Sequence, residues 1–168
     1  MASYLSNARD RIAEIAVSTL GLSGVNKIFD IATAEKVDWR GLMARIERDA
    51  TAEGLTPPYC VIVFGPAMPT DLGLSNRARA MEVHVIYISD LRSGSTSLSM
   101  AEVRTNIEDK LVAYEAALLT DADGTIQTWD ISTDLDSSNP ANDYYQTFGV
   151  PLYAGILRAQ IICGLATP

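Results

Sequence analysis

The stretch Arg77-Ala-Arg-Ala-Met-Glu-Val-His-Val-Ile-Tyr-Ile-Ser89 decides the fold of this chain. Successive side chains of a β-strand point to opposite faces of a sheet, so the stretch divides into two sets. One set is wholly apolar and consists of Met81, Val83, Val85 and Tyr87. The other set begins polar and consists of Glu82, His84, Ile86 and Ile88. The alternation predicts a strand with one face in the core and an opposite face that turns apolar towards its end.

Four further segments have the composition of strands. Tyr59-Cys-Val-Ile-Val-Phe64 is apolar throughout, as expected for a central strand that is buried on both faces. The other three are rich in β-branched and aromatic residues, and they cover residues 25–31, 125–131 and 153–163.

Three segments have the apolar spacing and the capping residues of helices. They are a first helix to about Leu20 with a cap at Ser6 or Asn7, a second over 38–53 with a cap at Asp38, and a third over 100–119 with a cap at Ser99 or Ser97. The third is the longest, and its apolar side chains recur at steps of three and four residues. This stripe consists of Val103, Ile107, Leu111, Tyr114 and Leu118.

The order of these elements, α-β-α-β-β-α-β-β, predicts the fold class. We expect an α+β fold in which a single mixed, mainly antiparallel β-sheet carries helices packed mainly on one face. A chain of 168 residues has the size of one ordinary domain, which buries roughly 70% of the surface that its unfolded form exposes. One domain over residues 1–168 therefore needs no disulfide or metal to fold.

The charge of the chain is acidic, with 13 Lys and Arg against 21 Asp and Glu, a net charge of −8. This sign repels a phosphate backbone and an anionic lipid surface, so we expect no specific DNA binding and no membrane partner. The first ten residues lack the basic patch and apolar core of a secretory signal, and no stretch approaches the roughly 20 apolar residues that span a bilayer. The protein is therefore expected to be made in a cytoplasm and not exported by a standard route.

Side chains that commonly perform catalysis or bind metals are scarce. His84 is the only histidine, and Cys60 and Cys163 are the only cysteines, each inside an apolar strand-like run. These three residues cannot supply the four N or S ligands of a zinc site within one chain. We interpret His84 as a half-buried structural residue and the cysteines as free apolar residues, with a disulfide between them as the less favoured alternative.

The segment Asp121-Ala-Asp-Gly124, together with Asp130, matches part of a calcium-binding loop. The first ligand position would then fall on Leu119, whose side chain cannot bind calcium. A helix-to-strand turn is the favoured interpretation, and a weak surface metal site is the alternative. Because no glycine-rich phosphate-binding motif is present either, we expect no cofactor and no enzymatic activity.

A long stretch around residues 134–145 has no periodic signal and is predicted to be a loop, and loops of that length inside a domain are usually functional or disordered. Trp39 and Trp129 are expected in the core. Tyr144 and Tyr145 are different, because two adjacent tyrosines in a polar loop cannot both point to the same core site. Tyrosine is favoured at protein contacts, so this pair is a candidate interface.

The chain resembles the tail-terminator or tail-completion proteins of long-tailed bacteriophages, which cap the tail tube as a ring and join it to the head. The resemblance lies in the order of the elements, in the length of the chain and in the general character of its segments, and it covers most of the chain. Its features are the leading helix, Val25-Asn-Lys-Ile-Phe-Asp30, Pro57-Pro-Tyr-Cys-Val-Ile-Val-Phe64, Glu82-Val-His-Val-Ile-Tyr87, the helix over 101–119, and two closing strands joined by Asn139-Pro-Ala-Asn142.

This resemblance implies a structural virion protein of the tail and neck region that is assembled in the host cytoplasm. It implies a ring, commonly a hexamer, that contacts the tail tube protein and a head-tail connector or neck protein while DNA passes through the channel unbound. Loops at about 65–77, 90–99 and 133–147 would reach a neighbour or the tube. The contact residues would include Asn139, Pro140, Tyr144 and Tyr145.

Three other interpretations remain open. The chain could be another neck, connector or adaptor protein of a virion with a related fold. It could be a hydrolase with an unrecognised site around His84 and the acidic loops, or a stand-alone binding module.

Overall fold

The described residues form a mixed β-sheet of six strands with helices on both faces. The computed structural model describes residues 4–22, 26–30, 38–69, 78–91 and 99–164. Its helices are α1 (Tyr4–Leu20), α2 (Trp39–Ala52), α3 (Met100–Leu119) and α4 (Pro140–Phe148). Its strands are β1 (Asn26–Asp30), β2 (Tyr59–Phe64), β3 (Met68–Pro69), β4 (Arg79–Asp90), β5 (Ile126–Asp134) and β6 (Leu152–Cys163).

The two longest strands, β4 and β6, lie at the centre of the sheet. They pair antiparallel along their whole length, from Arg79 opposite Cys163 to Asp90 opposite Leu152. β2 is antiparallel to β4 on its other side, and β1 is parallel to β2. β5 is antiparallel to β6, which gives the order β1-β2-β4-β6-β5, and β3 pairs with the beginning of β4. The predicted α+β fold with a single mixed, mainly antiparallel sheet is confirmed.

The first face of the sheet packs against α1 and α3. The apolar set of β4 side chains lies here, and the α3 stripe predicted from the sequence is fully buried against it. The Tyr114 hydroxyl donates a hydrogen bond of 3.0 Å to the Ile12 carbonyl, which joins α3 to α1. The predicted alternation and the predicted stripe therefore meet in one core.

The second face packs against α2 and α4. Ile86 and Ile88, the apolar end of the second set of β4 side chains, are buried here with Met43 and Ile46 of α2. Each face thus carries two helices, whereas helices were expected mainly on one face. Both faces are covered because β2 is apolar at every position and its side chains point both ways.

Helix α4 occurs where the sequence predicted a loop over 133–147, so that prediction was wrong. The Asn139 side chain caps the helix and accepts hydrogen bonds from the N–H groups of Ala141 and Asn142, at 3.1 and 2.9 Å. Pro140 takes the first helical position, where no N–H donor is required, and Gly149 ends the helix in the left-handed conformation at φ +64°. Capping signals were therefore present, but nine residues are too few for a clear apolar period.

Two buried amides bind β6 at a point that β5 does not reach. Asn142 accepts a hydrogen bond of 2.8 Å from the Ala154 N–H and donates one of 2.9 Å to the Ala154 carbonyl. Asn139 donates a second bond of 2.9 Å to the same carbonyl. β5 pairs with β6 only as far as Ile156, so side chains of the α4 segment satisfy the backbone that a strand would otherwise satisfy.

Strand β5 ends at Asp134, three residues later than the predicted strand, and it contains a bulge. Its register with β6 shifts between Trp129 and Ile131, and the intervening Asp130 has φ +47°. Trp129 was expected in the core but is 60% exposed. It pairs with Gln160 on the second face, beyond the part of β6 that α2 and α4 bury. Trp39, in contrast, packs against the second-face core.

The predicted helix caps are partly confirmed. Asp38 accepts a hydrogen bond from the Gly41 N–H, and Ser99 forms a capping box with Glu102. α1 begins at Tyr4, earlier than a cap at Ser6 or Asn7 would allow. The alternative cap Ser97, Val25, Ile31 and most of the loops predicted at 65–77 and 90–99 lie outside the described residues.

Asn142→Ala should destabilise the fold, because it leaves the Ala154 N–H buried without a partner. A buried polar group in that state costs about 1–3 kcal/mol, and the loss of the bond to the carbonyl adds to this. We expect the free energy of unfolding to fall by roughly 2–4 kcal/mol in urea denaturation. Asn106→Ala is the matched control, since Asn106 is exposed on α3, and it should change the value by less than about 0.5 kcal/mol. Equal losses in both variants would contradict this role of Asn142.

Candidate functional site

A groove opens between the start of α2 and the outer side of α4, and its volume is about 240 Å³. Aromatic rings dominate its lining, together with one guanidinium and one carboxylate. The lining residues are Trp39, Arg40, Pro140, Asp143, Tyr144 and Phe148, with Thr147 beside them. We call this site the aromatic groove.

Contacts among the side chains give the aromatic groove its shape. Tyr144 and Phe148 are one helical turn apart on α4, and their ring centroids are 4.6 Å apart. The Arg40 guanidinium lies over the Phe148 ring, 5.4 Å from its centroid, which is a cation–π geometry. Phe148 is still 53% exposed. The groove therefore presents aromatic surface to solvent, together with the Arg40 guanidinium and the Asp143 carboxylate.

The four predicted contact residues divide into two pairs. Asn139 and Tyr145 are buried: Asn139 caps α4 and binds β6, and Tyr145 packs into the second-face core. Both therefore have roles inside the chain. Pro140 and Tyr144 are partly exposed and line the aromatic groove, so a contact with another chain stays a prediction for these two.

Arg40 and Phe148 are among the groove residues that were not identified from the sequence. Phe148 follows Tyr144 by four residues, a spacing that would have placed both rings on one side of a helix if α4 had been predicted. Arg40 lies on α2 and shows no such spacing to the residues of α4. Its place in the groove depends on how α2 and α4 pack together, which no local pattern shows.

His84 lies on the second face of β4 and is more deeply buried than predicted, with 5% exposure. Its Nε2 is 3.1 Å from a Glu82 carboxylate oxygen, and its ring meets Trp39 edge-on with 5.3 Å between centroids. In the register of β4 with β6, His84 lies opposite Arg158. Burial lowers the pKa of His84 below its ordinary value, while the Glu82 carboxylate opposes this shift and the Arg158 charge adds to it. His84 is thus a ring packed inside the fold, where burial favours its neutral form.

The turn at Asp121–Gly124 is joined to α1 by an ion pair. Arg11 donates hydrogen bonds of 2.6 and 3.1 Å to one Asp121 oxygen, and Asp123 lies 3.5 Å from the same guanidinium. The Asp121 side chain is only 2% exposed. Asp121 and Asp123, which matched positions of a calcium-binding loop, therefore pair with the positive charge of Arg11. Over the described ranges, no three or more His, Cys, Asp or Glu side chains are grouped so that they could hold a metal ion.

Both cysteines are free and buried. Burial raises the pKa of the Cys60 thiol and of the Cys163 thiol. A thiol that stays protonated is a poor nucleophile, so these residues pack as apolar side chains, as the sequence indicated.

Comparison with known proteins gives no family assignment. No protein-family model matches the sequence, and no curated protein matches it. Within the part of the chain that the structure describes, no helix combines the length and the apolar character needed to cross a bilayer.

The free energy of unfolding should fall as the pH falls below the ordinary pKa of His84, which is about 6.5. The folded-state pKa is lower, so the unfolded chain binds the proton first and acid favours unfolding. The contribution of neutral His84 is complete above about pH 6.5 and is lost progressively below it. His84→Gln should flatten this part of the stability profile, measured by urea denaturation between roughly pH 5 and 8. A slope that is the same with and without His84 would contradict the assignment.

Proposed function

We propose that this protein is a structural subunit of a bacteriophage virion, a tail terminator that forms a ring on the end of the tail tube and joins the tail to the neck. The observation that carries the proposal is the aromatic groove. Its tyrosine, tryptophan, phenylalanine and arginine are the residue types enriched at protein contacts. Among the described residues, the lining holds one carboxylate, Asp143, and neither a histidine nor a thiol that could join it in acid–base or nucleophilic chemistry.

The fold supports this proposal, because the resemblance implies a small α+β domain and the chain has an α+β fold with a mixed sheet. The ionisable groups support it as well. Asp121 pairs with Arg11, and His84 is enclosed by Glu82 and Trp39, so these groups act within the fold. Because Asp121 and His84 interact with residues of their own chain, the proposed function depends on the surface of the subunit.

The partners in this proposal are other copies of the chain, the tail tube protein and a head-tail connector or neck protein. Six copies would close the ring, and the ring would be part of the virion after assembly in the host cytoplasm. The net charge of −8 suits a channel wall, because an acidic surface lets DNA pass without binding it. The proposed subunit needs no cofactor and catalyses no reaction.

Purified protein should form closed rings in solution. Mass photometry should give a main species of six times the 18.2 kDa subunit mass, and negative-stain images should show annular particles. A closed ring is the expected product of one heterologous contact repeated between identical subunits. A protein that is strictly monomeric at micromolar concentration would contradict the proposal.

His84→Gln separates the structural proposal from the hydrolase interpretation. The substitution keeps a side chain of similar size beside Trp39, so the rings should form as in the unsubstituted protein. Rings that form normally but no longer support the assembly of infectious particles would indicate chemistry at His84. Retained infectivity would support the structural function.

A further inference from the structure

Trp129 is an aromatic side chain that the fold leaves in water. It is 60% exposed and directly precedes Asp130, whose φ of +47° is uncommon for a residue other than glycine. A bulge changes the direction of the side chains beside it, and strained backbone tends to occur at functional positions. The register places Trp129 opposite Gln160, on the second face of the sheet. That face therefore presents both an exposed indole and the aromatic groove.

The aromatic groove has the size of a site for one side chain. Pockets that enclose small-molecule ligands usually measure roughly 300–1,000 Å³, whereas this groove measures about 240 Å³ and is open to solvent. A planar ring that entered it would meet Tyr144 and Phe148 and the guanidinium of Arg40. Of the aromatic side chains, tryptophan forms the strongest cation–π contact with arginine.

The charges beside the two features are complementary. Asp130 is exposed next to Trp129, and Arg40 is exposed over the Phe148 ring of the groove, whose lining also holds the Asp143 carboxylate. A contact that places Trp129 in the groove therefore brings a carboxylate towards a guanidinium. The carboxylate and the guanidinium are both residues of this chain, so a second copy of the chain carries the charge that Arg40 would attract. This favours a second copy as the occupant of the groove.

We infer that Trp129 of one copy occupies the aromatic groove of a second copy, with Asp130 beside Arg40. The inference rests on the proposed function, because a ring requires a contact between copies and this pair of features supplies one. The indole and the groove are different patches, so the contact either repeats from copy to copy around a ring or is exchanged within a dimer.

Trp129→Ala tests the contact directly. The dissociation constant for self-association, measured by mass photometry over a dilution series, should rise by about 30-fold or more, as for an interface hot spot. Urea denaturation should show an unchanged free energy of unfolding, since the indole of Trp129 is exposed and contributes little to the core. Leu119→Ala is the matched control, because Leu119 is 53% exposed at the end of α3 and lies outside both features. Equal effects in the two variants would overturn the inference.

A charge reversal tests the partner of Arg40. Arg40→Glu should weaken association, because two carboxylates would then face each other across the contact. Adding Asp130→Asn should restore part of the affinity, since it removes the repulsion and asparagine tolerates a positive φ. A double variant that associates no better than Arg40→Glu alone would show that Asp130 does not face the groove.

Cross-linking tests which patches meet. One variant carries Gln127→Cys, two residues before Trp129, and the other carries Thr147→Cys at the groove. A short bifunctional maleimide should join the two variants when they are mixed and should leave each variant alone unlinked. The native cysteines are buried and do not compete. Equal cross-linking within the Gln127→Cys variant alone would overturn the arrangement.

The size of the assembly separates this inference from the proposed function. Rings that disappear on Trp129→Ala support both. A dimer that disappears on Trp129→Ala supports the contact and contradicts the ring. Rings that survive Trp129→Ala support the proposed function and overturn the contact.

Discussion

The pairing of β4 with β6 is the constraint on which the rest of the structure depends. Both strands are twelve residues long and carry buried side chains on both faces, so each face requires its own helices. β5 is too short to satisfy β6 at Ala154, and Asn139 and Asn142 bind the exposed backbone there instead. Those bonds hold α4 against the sheet beside the start of α2. The aromatic groove exists because α4 is held in this place.

Sequence patterns predicted the elements that repeat their apolar residues over many positions. The alternation of β4 and the stripe of α3 are of this kind, and each extends over at least twelve residues. α4 is shorter, and its evidence was a cap, a proline and a terminal glycine rather than a period. Trp129 is an apolar residue of the kind found in cores, but it lies opposite Gln160, beyond the part of β6 that α2 and α4 bury. How far the helices reach along the sheet depends on tertiary packing, which one segment does not record.

The candidate site was predictable in part for the same physical reason. Tyr144 and Pro140 are neighbours in sequence and were identified together. Arg40 is about one hundred residues away and reaches the groove only through the packing of α2 on α4. His84 was interpreted as a structural residue, and the structure places it between Glu82, Trp39 and Arg158. A surface feature assembled from distant segments is consistent with a function that depends on contacts.

The bulge in β5 also affects how the protein behaves when it is crowded. A regular edge strand offers a row of unpaired N–H and C=O groups that can template strands from other molecules. The left-handed conformation at Asp130 interrupts that row and increases the local twist, so only short regular runs remain on either side. Many identical edges can therefore come close together without merging into a continuous sheet. A bulge in an edge strand is one of the features by which proteins avoid edge-to-edge aggregation.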